Sequence, residues 1–426
     1  MSFDREKYQT YVSILKEELI PAVGCTEPAC LALAGAKLRD VLEAVPDSVV
    51  VRLSANLIKN AKSVFIPYSE GLKGIPAAIW LGILGGNSEL GLAVLSSVQP
   101  EHIAAAKELL AEPTRCRVEL LDTPAKLHLI VEGWGQGRTA VVEIMHSHTN
   151  FVRIERSGQP LLDTGTDPQA QEVRVDRFQL NIRDIVAFAE CVDLADVEPI
   201  LRPQIELNTA IAEQGLAGDY GTGVGRHLLQ HFGRDVHNLA RATAAAASDA
   251  RMGGCQMPVV INSGSGNQGI TASIPVIVYA RHQGLPEERL LRALCVSNLI
   301  AIHQKTGVGR LSAYCGAVGA ACGAGAALTY LAGGSLEQVG ATITNTLANI
   351  SGMICDGAKA SCAAKISSAV DAAFLAHTLA LGNRQFSAGD GIVKGDVEET
   401  IAVVRDIASE GMRQTDLTVL KHMLDS

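Results

Sequence analysis

The sequence has few aromatic and few charged side chains. Aromatic residues make up 4% and charged residues 19% of the 426 residues, so a core must be built largely from small side chains. The 36 Lys and Arg are outnumbered by 45 Asp and Glu and form no basic block, which argues against a broad nucleic-acid surface. Apolar residues reach 47%, which predicts a folded chain.

The sequence also predicts no signal peptide and has no strongly apolar run of membrane-spanning length. It begins Met1-Ser2-Phe3-Asp4-Arg5. The uncharged stretch 311–336 consists mainly of Gly, Ala, Ser, Thr and Cys, which contribute little to membrane insertion. We therefore expect a cytoplasmic protein without a membrane partner. In that reducing compartment, grouped cysteines among the ten in the chain indicate metal binding or catalysis more than disulfides.

What the sequence does contain is a helical pattern at both ends and a strand pattern between them. Apolar periodicity predicts a helix over residues 4–19, and a second one from Thr26 into the early forties. Alternating β-branched segments predict strands near 116–120, 126–131, 139–145 and 151–154. Further helices are predicted at 175–192, 204–212, 224–248, 286–305, 324–331, 336–350, 358–381 and 397–408.

These patterns predict an α+β fold class. Residues 1–45 and 170–426 are expected to form a mainly helical catalytic domain packed through Ala and Gly. Residues 46–169 are expected to form a smaller α+β domain inserted into it.

A cysteine stands where the second helix is predicted to begin, in Gly24-Cys25-Thr26-Glu27-Pro28. Gly24 permits a sharp turn, Thr26 can cap a helix, and Pro28 suits its first turn. The free N–H groups and the dipole of a helix N-terminus favour a thiolate. Cys25 could therefore be a base, a nucleophile or a metal ligand, and a buried structural cysteine is the alternative.

Four further cysteines, Cys315, Cys322, Cys355 and Cys362, lie in the Gly- and Ala-rich C-terminal part of the sequence. Cys355 and Cys362 flank a segment that contains Gly357, and such loops let thiolates converge. Four thiolates would indicate zinc or a closed iron–sulfur cluster, whereas three would leave one iron open as a Lewis acid. The spacing matches no standard zinc ribbon or ferredoxin, so small core cysteines are the alternative.

Hydrogen-bond donors are concentrated in Asn262-Ser263-Gly264-Ser265-Gly266-Asn267-Gln268-Gly269. This segment has the G-x-G-x-x-G spacing, but a dinucleotide site needs an acidic residue after a second strand about 20 residues on. Residues 282–287 instead form a loop that enters a predicted helix, so we reject the dinucleotide hypothesis. The donors suit a carboxylate, and a tight turn between helices is the alternative.

Two other segments carry charged or imidazole side chains. His146 and His148 are predicted to share one face of a strand, where they could ligate a metal; local hydrogen bonding is the alternative. Residues 248–254 close an Ala-rich helix with Asp249 and Arg251. This charged pair is either an ordinary helix-terminus ion pair or a means of holding a substrate.

Together these segments resemble the L-cysteine desulfidase family, whose members are related to the iron–sulfur L-serine dehydratases. The matching segments follow the family order and span most of the chain. The resemblance rests on residues 24–28, 248–254, 262–269, 310–315 and 351–362, and on His148-Thr149-Asn150.

The resemblance implies a lyase that converts L-cysteine to pyruvate, ammonia and sulfide, with a [4Fe–4S] cluster as Lewis acid and no pyridoxal phosphate. It implies that Cys315, Cys355 and Cys362 hold the cluster and that Cys25 accepts the α-proton. The implied substrate-binding residues are His148, Asn150, Ser263, Gly264, Ser265, Gly266, Asn267 and Gln268. The cysteines that match no family position are assigned structural roles: Cys30, Cys116, Cys191, Cys255, Cys295 and Cys322.

One segment departs from the family pattern and leaves the substrate open. Pro67-Tyr68-Ser69-Glu70-Gly71 stands where the family has a Gly-Thr-Gly type loop. One alternative is the same machinery acting on L-serine or another β-substituted amino acid. A non-catalytic protein that senses metal or binds an amino acid is the alternative from another class. A small amino acid is thus the expected partner, and a homo-oligomer is left open.

Overall fold

The computed structural model describes residues 3–165, 175–309 and 312–424. The chain folds into two compact units. Unit 1 comprises Met1–Pro21, Arg174–Cys355 and Ala360–Asp416, and unit 2 comprises Ala22–Val173, Asp356–Lys359 and Leu417–Ser426. The domain division expected from the sequence, with an inserted domain at 46–169, stays a prediction. Of the segments that carry the family resemblance, Arg310 and Leu311 lie outside the described residues.

The helices and strands are numbered in chain order. The strands are β1 (Pro21–Val23), β2 (Ser48–Leu53), β3 (Cys116–Leu120), β4 (His128–Gly135), β5 (Arg138–Met145), β6 (Phe151–Arg156), β7 (Gln159–Asp163) and β8 (Pro258–Val260). The α-helices are α1 (Arg5–Glu18), α2 (Thr26–Leu42), α3 (Ala55–Ala61), α4 (Gly74–Gly85), α5 (Pro100–Leu110), α6 (Ile182–Cys191), α7 (Leu194–Ala217), α8 (Val224–Phe232), α9 (Val236–Met252), α10 (Gly266–His282), α11 (Glu287–Lys305), α12 (Gly316–Leu331), α13 (Leu336–Ile350), α14 (Cys362–Leu381), α15 (Val397–Asp406) and α16 (Arg413–Leu424).

Unit 2 is built on a mixed sheet with strand order β3-β2-β4-β5-β6-β7. β2 pairs with β3 in parallel, and such a pair needs a long crossover, which α3, α4 and α5 supply. The strands from β4 to β7 are antiparallel neighbours joined by short connections. The strands predicted at 116–120, 126–131, 139–145 and 151–154 are present as β3 to β6.

Helix α2 packs in unit 2 through glycines that admit no side chain. A Cβ at Gly35 would lie 2.6 Å from the carbonyl oxygen of Ile79, and one at Gly82 would lie 2.1 Å from that of Ala32. α2 and α4 therefore approach backbone to backbone, which only glycine at these positions allows. This close contact anchors the helix whose N-terminus carries Cys25.

Unit 1 is helical and packs through small side chains. A Cβ at Gly323 would lie 2.3 Å from the carbonyl oxygen of Ser297, and one at Gly215 would lie 2.0 Å from that of Ala246. These contacts bring α12 onto α11, and α7 onto α9. The mainly helical α+β fold class predicted from the sequence is confirmed, and so is the small-residue core.

Much of the uncharged stretch 311–336 forms α12, in which every residue of Ala317–Leu331 is buried within the protein. No single described helix is both long and apolar enough to cross a membrane. The pair Gly74–Gly85 and Ser88–Ser97 meets that measure only when taken together, and it is bent by 105°.

Some helix boundaries differ from the prediction because local caps override apolar periodicity. The helix predicted over 224–248 is two helices, α8 and α9. Gly233 has φ +86°, and Asp235 caps α9 by accepting the backbone N–H groups of His237 and Asn238 at 3.1 Å each. Likewise α6 begins only at Ile182, because the side chain of Asn181 caps it.

Candidate active site

Cys25 lies at the N-terminus of α2, where the sequence predicts it. Its backbone is extended, with φ −88° and ψ 137°, as expected for an N-cap residue. Cys25 is 5% exposed, and its carbonyl oxygen accepts the N–H of Ala29 at 3.4 Å. The sulfur thus stands on the residue that precedes the first helical turn, where the helix dipole favours negative charge.

The first turn of α2 carries a buried carboxylate, that of Glu27, which the sequence pattern does not single out. Glu27 is 7% exposed. Its Oε2 accepts the hydroxyl of Thr26 at 3.2 Å, and its Oε1 accepts the side-chain amide of Asn60, in α3, at 3.4 Å. These hydrogen bonds tie the turn after Cys25 to α3.

The loop after Cys355 contacts the same helix within unit 2. Gly357 has φ +92°, and a Cβ there would lie 2.2 Å from the carbonyl oxygen of Lys59 and 3.6 Å from Cα of Asn60. Only glycine permits both this backbone conformation and this approach. α3 is therefore in contact with both the residues that follow Cys355 and the first turn of α2.

The loop that departs from the family pattern packs against the turn before Cys25. A Cβ at Gly24 would lie 2.2 Å from Cγ of Pro67, and Gly24 has φ +65°. Tyr68 and Glu70, with φ +58° and +52°, adopt the left-handed conformation that non-glycine residues avoid. Because Gly24 precedes Cys25, the Pro67–Gly71 loop lies beside Cys25 within unit 2. Strained backbone of this kind concentrates at functional sites.

Two of the three predicted cluster ligands lie on short antiparallel segments of unit 1. The N–H of Cys315 donates to the carbonyl of Met353 at 3.0 Å, and the N–H of Cys355 donates to that of Ala313 at 2.6 Å. The segments approach through Tyr314 opposite Ile354. Residues distant in sequence are thereby held as neighbours.

The three predicted ligands also share an electrostatic environment. Cys315 is the N-cap of α12, and Cys362 is the first residue of α14. Burial raises the pKa of the Cys315 thiol to about 12, and the neighbouring Cys355 and Cys362 raise it too, against a hydrogen bond from the N–H of Ala317. The structure therefore brings Cys315, Cys355 and Cys362 together in unit 1.

This donor set fits an iron–sulfur cluster. Across the described ranges, no three His, Cys, Asp or Glu side chains form a single-ion site. In a [4Fe–4S] cluster, however, each thiolate binds a different iron, so the ligand sulfurs do not converge on one atom. Three thiols, two of them at helix N-termini, are donors of the kind that such a cluster needs, and loading would displace their protons.

Residues 262–269 form a tight turn that leads into α10. Asn262 and Ser265 exchange backbone hydrogen bonds of 3.1 and 3.0 Å across Ser263 and Gly264, whose φ angles are +51° and +78°. α10 begins at Gly266, so the unsatisfied N–H groups of its first turn lie at this loop.

The two serines of this loop hydrogen-bond within it, and their contact with substrate stays a prediction. The Ser263 hydroxyl donates to Oδ1 of Asn262 at 2.8 Å, and Oγ of Ser265 accepts the N–H of Gln268 at 3.5 Å. Backbone N–H groups and the amides of Asn267 and Gln268 are the better donors for a ligand.

One residue of this loop contacts the backbone beside a predicted cluster ligand. A Cβ at Gly316 would lie 2.4 Å from Cδ of Gln268 and 2.7 Å from its Nε2 and Oε1. Gly316 directly follows Cys315. The loop predicted to hold a carboxylate and the start of α12 are thus in contact within unit 1.

A network of buried amide side chains, which the sequence pattern does not predict, holds the first residue of the 262–269 loop. Asn298, in α11, exchanges hydrogen bonds of 3.0 and 2.8 Å with Gln204 and accepts the amide of Asn262 at 3.0 Å. All three residues are fully buried. The sequence signal for this network is Asn298 within the apolar run Cys295–Ile302, because an amide that is buried must have hydrogen-bond partners.

Asp249 and Arg251, the charged pair at the end of α9, serve different loops. The buried Asp249 carboxyl accepts the backbone N–H of Gly225 at 3.1 Å, so it anchors the turn that leads into α8. The Arg251 guanidinium donates from Nη1 to Oδ1 of Asn267 at 3.2 Å, so it reaches the 262–269 loop.

Burial raises the pKa of Asp249 to about 6, above its ordinary 3.8. The folded chain therefore keeps this proton at a higher pH than the unfolded chain. Stability from that proton is fully present below about pH 4 and is lost as the pH rises through 6, by about 3 kcal/mol. Asparagine does not titrate, so Asp249→Asn does not lose this stability as the pH rises. The free energy of unfolding of the variant minus that of the unmodified protein should therefore rise by up to that amount from pH 4 to pH 7.

Denaturant unfolding at pH 4, 5, 6 and 7 measures this difference. Asp219→Asn is the matched control, because the side chain of Asp219 is 96% exposed. An Asp249→Asn curve that runs parallel to the unmodified protein at every pH would contradict the assignment.

The prediction that His146 and His148 share one face of a strand is wrong. β5 ends at Met145, and His146 has φ +70°, which ends the alternation of side chains. The amide of Asn150 closes the resulting bend by donating to the carbonyl of Met145 at 3.0 Å. His148 is buried in this bend, and contact of His148 and Asn150 with substrate stays a prediction.

The other cysteines are mostly buried thiols. Burial raises the pKa of Cys116 and Cys295 to about 12, and it raises the pKa of Cys30 and Cys322 above its ordinary value. Cys255 is also buried, whereas Cys191 is exposed. Cys30, Cys116, Cys295 and Cys322 are therefore seldom ionised, and the structural roles of the six cysteines stay predictions.

Comparison with known proteins gives a consistent result over nearly the whole chain. The family described as "Serine dehydratase alpha chain" matches residues 89–421. That range includes the 262–269 loop and the three predicted ligands, whereas Cys25 precedes it. Similar proteins named "UPF0597 protein" include one from Treponema denticola, 48% identical over all of both chains. Another, from Lachnoclostridium phytofermentans, is 50% identical over 98% of this chain and all of its own.

Proposed function

We propose that this chain, which belongs to the serine dehydratase alpha chain family of iron–sulfur dehydratase-like enzymes, is an L-cysteine desulfidase. The choice of L-cysteine rests on the resemblance of its motifs to the L-cysteine desulfidases. In this proposal L-cysteine and water give pyruvate, ammonia and hydrogen sulfide. Cys315, Cys355 and Cys362 hold a [4Fe–4S] cluster, and Cys25 accepts the substrate's α-proton. The family membership supports the reaction class, and the residues themselves support the roles.

The contact between Gln268 and Gly316 carries this proposal. A loop suited to a carboxylate touches the residue after Cys315, where a Cβ would lie 2.4 Å from Cδ of Gln268. An α-amino acid is short, so its carboxylate and its β-substituent must be bound within one small site. A carboxylate loop in contact with a cluster-ligand helix meets that requirement.

Each residue then has a chemical task. The N–H groups at the start of α10 and the Gln268 amide orient the carboxylate. The thiolate of Cys25 removes the α-proton, the released electron pair forms the Cα–Cβ double bond, and the C–S bond breaks with its electrons on sulfur. Aminoacrylate tautomerises to the imine, which water hydrolyses. When bound, the cluster supplies a Lewis-acidic iron that stabilises the departing sulfide.

L-Serine is the second candidate substrate, and the description of the matching family favours it. The same proton removal would then expel hydroxide, which is a poorer leaving group than sulfide. The Pro67–Gly71 loop departs from the family pattern and packs on Gly24, so we propose it as the segment that discriminates between the two substrates.

Anaerobic purification followed by assay of both substrates tests the proposal. We expect brown protein that contains iron and acid-labile sulfide, and that releases sulfide and pyruvate in equal amounts from L-cysteine with a kcat/KM above that for L-serine. A higher kcat/KM for L-serine would transfer the proposal to the serine dehydratase reaction. Colourless, iron-free protein with full activity would exclude the cluster. Iron-loaded protein without either turnover would favour the non-catalytic alternative.

A further inference from the structure

The loop predicted to bind the substrate carboxylate has no charge of its own. Residues 262–269 are Asn, Ser, Gly and Gln. A carboxylate that leaves water for a protein site needs a positive partner in addition to neutral donors, because its desolvation is costly. A cation must therefore reach this loop from another element if the loop is to hold an amino acid.

Arg251 is such a cation. It lies in the last turn of α9 and is 4% exposed. Its Nη1 donates to Oδ1 of Asn267 at 3.2 Å, and the same oxygen accepts the hydroxyl of Ser248 at 3.3 Å. Asn267, the second residue of α10, therefore holds the guanidinium at the loop.

The glycine at 266 makes room for this guanidinium. A Cβ at Gly266 would lie 2.3 Å from Nε and 2.7 Å from Cζ of Arg251. The planar group thus lies directly on the backbone of the first residue of α10. The guanidinium charge and the positive end of the helix dipole therefore act at one place.

We propose that Arg251 binds the carboxylate of the amino-acid substrate. Arginine suits this task because its planar donors match a carboxylate and it stays charged in a buried site. The residues of the loop are all neutral, so the ionic part of recognition falls to Arg251. This assignment shares one premise with the proposed function, which is that the loop binds an amino acid. It does not depend on which leaving group that amino acid carries.

Binding of L-alanine provides a test that needs no turnover, because L-alanine has no β-leaving group. Calorimetric titration of the cluster-loaded protein should show that it binds L-alanine more tightly than L-alaninamide, which lacks the carboxylate. In Arg251→Met, affinity for L-alanine should fall roughly 10- to 100-fold, and the preference over the amide should disappear. In parallel, KM for the substrate should rise more than kcat falls.

Arg241→Met is the matched control. Arg241 lies on the same helix, and its side chain is 15% exposed and forms an ion pair of 2.8 Å with Asp371. It should retain the preference for L-alanine. If Arg251→Met does not fold, Arg251→Lys replaces it: the charge stays, the planar donor pair is lost, and the preference for acid over amide should narrow.

Three results would overturn the assignment. They are an unchanged preference in a folded Arg251 variant, an equal loss in Arg241→Met, and a native protein that binds neither compound. Binding of L-alanine that depends on Arg251, in a protein without lyase activity, would instead refute the proposed function and leave this assignment standing.

Discussion

Replacing Cys25 with serine is expected to leave the iron content unchanged and to lower turnover roughly 10²- to 10⁴-fold, the usual contribution of a general base. Serine has a similar size but stays protonated at neutral pH, so it cannot accept the α-proton as a thiolate can. Single-turnover and steady-state assays under anaerobic conditions measure the loss. Iron and sulfide analysis of the same samples shows whether the cluster is retained.

Cys30→Ala is the control for this substitution. Cys30 lies on the same helix and is completely buried, so its thiol has no access to a substrate. It should keep both colour and turnover. Loss of iron in Cys25→Ser would make Cys25 a ligand instead of a base, and retained turnover would remove it from the chemistry.

Replacing any one of Cys315, Cys355 and Cys362 with alanine is expected to remove most of the iron and to abolish turnover. With two thiolates left, one further iron loses its protein ligand, so the cluster has too few anchors to stay bound. Iron and acid-labile sulfide per chain, together with visible absorption, measure the loss. Circular dichroism shows whether the helices persist.

Cys322→Ala is the matched control for the ligand set. Cys322 lies on α12, whose N-cap is the proposed ligand Cys315, and it is completely buried in the helical core. Its removal should leave iron content and turnover intact. Loss of iron in this variant, or full iron in any of the three ligand variants, would show that the ligand set is wrong.

Local chemistry made part of the site predictable. Gly24, Thr26 and Pro28 are helix-start signals, so the position of Cys25 follows from neighbours in sequence. The same local rules explain two errors. Gly233 and Asp235 divide α8 from α9, and the left-handed backbone of His146 ends β5. In both places a capping or turn residue outweighed the apolar pattern.

The partners of the predicted site residues were not predictable in this way. The contact of Gln268 with Gly316 joins two helices whose close approach depends on a missing side chain. Arg251 reaches Asn267 because α9 and α10 pack in one particular orientation. The pattern of a sequence specifies which residues face inward, but not which of them meet.

By itself, the sequence determined the class of this protein: a mainly helical α+β fold with a small-residue core, a cysteine at a helix N-terminus, and a turn rich in donors. These depend on composition and on interactions between near neighbours. Only the tertiary structure decided that Cys315, Cys355 and Cys362 are neighbours, and that Pro67 packs against Gly24. It also decided that a buried arginine serves the neutral loop. Such contacts follow from the packing of helices and strands far apart in the chain, where a single ångström decides whether a glycine is required.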